Sequence, residues 1–118
     1  MIDYGKELVS ALETVLPTHY EMTLTANTET PCISWMEIGN VPITEIIGEN
    51  TTQGYSRLNY SLKVWGRSIG ELNKYAVEIA KALRPLGFTV SSSGELYDNH
   101  STMIQKILNA EAIASEEF

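Results

Sequence analysis

Between residues 55 and 65 apolar and polar positions alternate without a break. Leu58, Tyr60, Leu62 and Val64 fall on one side, and Arg57, Asn59, Ser61 and Lys63 on the other. That period belongs to a strand with one buried face. At ~3.3 Å per residue it spans roughly 36 Å, about twice the usual strand. The period then changes. Leu72, Tyr75, Ala76, Ile79 and Leu83 recur at helical spacing and form one apolar stripe. Ser68 and Glu71 make the S-x-x-E pattern of a capping box, and Pro85 and Gly87 stop the helix. The spacing predicts a helix packed along a strand whose far face is wet.

The flanking segments fill in a sheet. A first helix, capped by Asp3, carries the stripe Leu8, Leu12 and Val15 with Ala11 and Leu16 beside it, and Pro17 ends it. Tyr20, Met22 and Leu24 alternate with Glu21, Thr23 and Thr25, which predicts a short half-buried strand. Residues 26–30 read as a polar turn. Over 31–38 a second strand sets Ile33 and Trp35 against Cys32, Met36 and Ile38, so both of its faces are expected to be partly covered. Residues 39–54 are turn-rich yet carry Val41, Ile43, Ile46 and Ile47. A connection this long is uncommon in a compact domain unless it is functional. It is expected to project as a hairpin or loop whose isoleucines either fold back on the domain or meet a partner surface. Residues 88–91 predict a short strand and 92–99 a turn-rich stretch. A closing strand over 103–113 is apolar on both faces, being either central in the sheet or covered by another copy. Residues 115–118 are expected to fray. The order α-β-β-β-α-β-β predicts one α+β domain over 1–118: a mostly antiparallel sheet with two helices packed on it.

Composition narrows the partners. With 118 residues, 43% hydrophobic and 19% charged, the chain has a globular make-up. Its net charge of −7 and scattered basic residues argue against a nucleic-acid backbone as the main partner. Cys32 is the one cysteine, so no internal disulfide is possible. No apolar run reaches the ~18 residues of a membrane span, and the first residues lack the pattern of a signal peptide. No membrane partner is expected, and synthesis in the cytoplasm is.

Candidate chemistry is thin. Gly66-Arg67-Ser68-Ile69-Gly70 is a literal G-x-S-x-G between strand and helix, the setting of a hydrolase nucleophile elbow. The fold that uses the elbow needs a parallel sheet and a longer chain. Asp98 and His100 would have to be its partners from a single turn, and Ser68 already has work as a cap. Asp98, Asn99 and His100 read as turn residues and not as a metal cage. His19 reads as an exposed loop residue and Cys32 as a small core filler. Trp65, at the strand end, is either a lid over the helix start or an anchor for a neighbouring subunit. No cofactor, metal site or catalytic residue is expected. The expected subunit or partner interface is Ile43, Glu45, Ile46 and Ile47 on the projecting segment, with Arg57, Asn59, Lys63 and Trp65 on the wet strand face.

The succession "IDYGKELVSAL", "PCISWMEIGNVP", "YSRLNYSLKVWGRSIGELNKYAVEIAKAL", "LGFTVSSSGELYDN" and "STMIQKILNAEA" resembles the tail terminator, or tail completion, proteins of long-tailed bacteriophages and prophages. The resemblance covers residues 2–112 and rests on structural patterns, so it carries no site residues across. It implies a virion structural protein made in the bacterial host. Such a protein forms a ring, usually a hexamer, on the head-proximal end of the tail tube. There it ends tube polymerisation and presents the surface that joins the head connector. Its implied partners are itself, the tail tube protein and the connector. The alternatives are a head-completion or other minor tail protein, a small serine hydrolase using Ser68, and a host-side ligand-binding domain.

Overall fold

The computed structural model describes residues 4–25, 27–47, 51–98 and 102–115; at 42–47, 51–54, 98 and 115 only the backbone is described. Helix α1 (Gly5–Glu13) leads into strand β1 (Thr18–Tyr20) and a 3₁₀ turn (Glu21–Thr23). Strands β2 (Cys32–Ile47) and β3 (Thr51–Gly66) form a long hairpin. Helix α2 (Ile69–Leu83), a second 3₁₀ turn (Arg84–Leu86) and strands β4 (Thr89–Asp98) and β5 (Met103–Ser115) complete the chain. The five strands make one sheet in the order β1-β2-β3-β5-β4, antiparallel throughout except for β1 beside β2. This is the α+β architecture that the residue pattern predicts.

Alternation along β3 places the core. Leu58, Tyr60, Leu62 and Val64 are fully buried, together with Leu8 and Leu12 of α1 and Leu72, Ile79 and Leu83 of α2. Both helices therefore cover the same sheet face. Aromatic rings run across it from Tyr20 to Trp35, Tyr60, Phe88 and Tyr4, at centroid separations of 5.2 to 6.3 Å. Such pairs contribute about 0.5–1.5 kcal/mol each beyond their burial. Strand and helix can meet closely because residue 66 is glycine; a Cβ there would lie 2.8 Å from Leu72 Cδ2. β5 lies between β3 and β4, the central placement that its two-faced apolar pattern allowed.

Several boundaries differ from expectation. α1 stops at Glu13, before Pro17: Thr14 Oγ1 donates to the Ala11 carbonyl at 2.6 Å, while Val15 lies beyond the helix and still faces the core. Its N-cap is Tyr4, without a side-chain cap, and Asp3 lies outside the described residues. The strand expected over residues 20–24 is instead β1 followed by the 3₁₀ turn. Thr23 Oγ1 donates to the Tyr20 carbonyl at 2.7 Å and closes that turn, leaving Met22 78% exposed. His19 is not a loop residue; it pairs with Ser34 inside the sheet. α2 ends at Leu83 before Arg84–Leu86 tightens into a 3₁₀ turn, and Gly87 (φ 87°) completes the exit. The short strand and turn-rich stretch after it are one strand, β4. A bulge between Ser92 and Gly94 (φ 137°) absorbs the polar residues that read as a turn. Ser115 belongs to β5 opposite Tyr55, and residues 116–118 lie outside the described ones.

The projecting segment is a hairpin. β2 and β3 stay paired from Cys32↔Trp65 to Ile47↔Thr51, with one bulge between Glu37 and Gly39. β3 runs 16 residues, ~53 Å, whereas the 15 residues of α2 cover only ~23 Å. The hairpin therefore outreaches the helical layer as an arm. The molecule measures 59 × 24 × 23 Å, with a radius of gyration of 16.2 Å. A compact chain of this length would give ~13.5 Å.

Candidate functional site

The residues that could carry chemistry have structural work. Ser68 Oγ accepts the Glu71 backbone N–H at 3.5 Å and so caps α2. Only half of a capping box forms, because the Glu71 carboxylate turns instead to accept the Tyr75 hydroxyl at 3.0 Å. That bond, with some burial and the nearby charge, pushes the Tyr75 phenol above its ordinary value. Asp98 is the last residue of β4, and Asn99 and His100 lie outside the described residues. Cys32 is buried opposite Trp65, and burial raises its thiol pKa. No group of three His, Cys, Asp or Glu side chains comes together among the described residues. Two shallow clefts flank the α1–α2 contact. One is lined by Thr14, Val15, Tyr75, Glu78, Lys81 and Ala82, the other by Lys6, Glu7, Ser10, Ala11, Ala82, Pro85 and Leu86.

The sheet face opposite the helices is more informative, and its ladder register reads as rows. At the base, Trp65 does not cover the helix start, since it points to the other side of the sheet; its indole N–H donates to Ser34 Oγ at 2.9 Å. Lys63 forms an ion pair with Glu21 of the first 3₁₀ turn. Two of the residues expected at a partner surface are thus engaged within the chain. Farther along, Asn59 and Asn109 present side-chain oxygens that are buried and have no hydrogen-bond partner among the described residues. Next comes the row Val41–Arg57–Ile113. Val41 is 57% and Ile113 64% exposed, and the bulged Ile38 is exposed beside them. Arg57 between the two makes no ion pair among the described residues. Exposed apolar side chains on either side of a guanidinium have the composition of an interface centre.

Beyond that row, Ile43, Glu45, Ile46 and Ile47 pair in register with Tyr55, Gln53, Thr52 and Thr51. Their side chains lie outside the described residues. The sequence pattern misses two further exposed groups: Tyr20 with Met22 beside β1, and Leu96 with Tyr97 on β4. Tyr20 and Met22 look half-buried because they alternate with polar residues, and Leu96 and Tyr97 look like part of a turn. No helix among the described residues is long and apolar enough to cross a membrane. Against known families and curated proteins, the chain finds no match.

Proposed function

We propose that this chain is a virion structural protein of the tail-terminator kind. It forms a ring on the head-proximal end of a phage tail tube, ends tube polymerisation and offers the surface that meets the head connector. The observation that carries this reading is the arm: a paired hairpin continuing past the helix-covered sheet, fronted at its root by the exposed Val41–Arg57–Ile113 row. A chain folding for itself gains nothing from exposing that row. A chain that docks on a repeating tube gains a rigid apolar contact with one guanidinium to fix its orientation. The resemblance of the strand–helix unit to tail terminators agrees with this arrangement. The reading assigns no catalytic step, cofactor or metal.

Negative-stain microscopy of the purified protein with tail tubes tests the proposal. The expected image is added density at one tube end only, with tube growth stopped in an assembly reaction. Density along the tube wall, or on isolated connectors and never on tubes, would instead support a different minor virion component.

A further inference from the structure

A closed ring of identical subunits needs two different surfaces on each one, because a head-to-tail contact joins unlike patches. The sheet of this protein carries such a pair on its opposite edges. On one edge, Tyr20 ends β1 and Met22 follows in the 3₁₀ turn, 42% and 78% exposed. On the other, Leu96 and Tyr97 of β4 are 55% and 59% exposed. Each patch joins one tyrosine to one flexible apolar side chain, and aromatic residues and methionine are enriched where proteins meet.

Both patches also lie toward the same end of the sheet. Tyr20 stands in the row Tyr20–Trp35–Leu62–Leu108–Ser92, and Leu96 in the row that pairs with Gln105, Trp65 and Cys32. From Ser92 to Leu96 the ladder advances three rows, or ~10 Å. Both patches therefore sit at the base of the sheet, away from the arm. Two acids at these edges are paired within the chain. Glu21, beside Met22, is paired with Lys63, and Glu95, beside Leu96, is paired with Lys106 at 2.9 Å. A chain of net charge −7 repels its copies, so pairing Glu21 and Glu95 within the chain lessens that repulsion beside Met22 and Leu96. Neither β1 nor β4 has a strand on its outer side among the described residues. The bulge between Ser92 and Gly94 interrupts the β4 edge, a device that discourages open-ended strand addition and leaves side chains to make the contact.

We propose that neighbouring copies join edge to edge at the base of the sheet, Leu96 and Tyr97 of one copy packing on Tyr20 and Met22 of the next. All arms then leave the ring on one side. This rests on the ring reading above and adds the subunit contact, which is separate from the Val41–Arg57–Ile113 row.

Cross-linking with a short bis-maleimide tests it, since buried Cys32 is shielded from the reagent. Neither Met22→Cys nor Tyr97→Cys protein should link to itself. An equimolar mixture should give a covalent dimer, and the double variant a ladder ending in one closed species. Met22→Lys and Tyr97→Glu should each weaken self-association at least tenfold by sedimentation, and combining them should restore it. Self-linking of either single variant would show a two-fold contact and overturn the proposal. Wild-type rings without the mixed cross-link would overturn this contact and leave the ring reading standing. A wild-type protein that stays monomeric at every concentration would overturn both.

Discussion

Ser68 illustrates how a residue can resemble a nucleophile and act as a cap. The strand–turn–helix setting that makes G-x-S-x-G conspicuous also places a hydroxyl over free helix N–H groups. Ser68→Ala should cost about 0.5–1 kcal/mol in urea denaturation and Ser68→Asp almost nothing. A serine-hydrolase probe that labelled the wild type but not Ser68→Ala would contradict the cap as its sole role. Cys32 makes a pH prediction. Burial raises the folded-state pKa of its thiol, so as pH climbs the unfolded chain loses the proton first. Its contribution is complete below the ordinary thiol value and is lost as pH rises through the folded value. Cys32→Ser should therefore flatten the alkaline side of a melting-temperature profile; an unchanged slope would rule the thiol out as its source. The cap was legible in four letters of sequence. That Glu71 turns to Tyr75 was not, because a side chain facing two partners takes whichever the helix surface brings closer.

Among the elements, β3 and α2 were read from period alone, since each buries one face and the opposite face stays polar. β2 reads less simply, with apolar residues on both faces. Ile33 and Trp35 face the helices, but the bulge at Ile38 shifts the count, so beyond it Asn40 shares a row with Leu58 and Val41 shares one with Arg57. Before the bulge, Cys32, Ser34 and Met36 lie on the face opposite Ile33 and Trp35, and Cys32 and Ser34 are buried there, so both faces of this part of β2 are covered. The start of β4 was legible at 88–91, but its continuation through residues 92–98 was not, because serines and a glycine describe an exposed edge as readily as a turn. The wet face of β3 also divides in a way that its alternation conceals. Arg57→Glu combined with Val41→Ser should leave the melting of dilute protein almost unchanged and abolish tube capping. Lys63→Glu should instead lower stability by about 1 kcal/mol, since it breaks the part-buried pair with Glu21. A reversal of these two outcomes would exchange the structural and functional ends of the strand.

For the whole molecule, the α+β order and the helical layer followed from sequence, but the shape did not. Residues 39–54 announced a projection through their length and isoleucines; only the ladder register establishes that it is a continuation of the sheet. Among the described residues β5 is last paired at Ser115, opposite Tyr55, and there the sheet narrows from three strands to two. A two-stranded ribbon has little independent stability in water. Opening of the arm is therefore decoupled from opening of the base, and time separates the two. In hydrogen–deuterium exchange, backbone amides of 43–54 should exchange far sooner than those of 58–64, with a step near Tyr55. Uniform protection along β3 would mean that the hairpin and the core open as one unit. When a partner covers the arm, the step should move outward while the base keeps its rate. Exchange would then report engagement as a clock at one end of a single strand, read against its own other end.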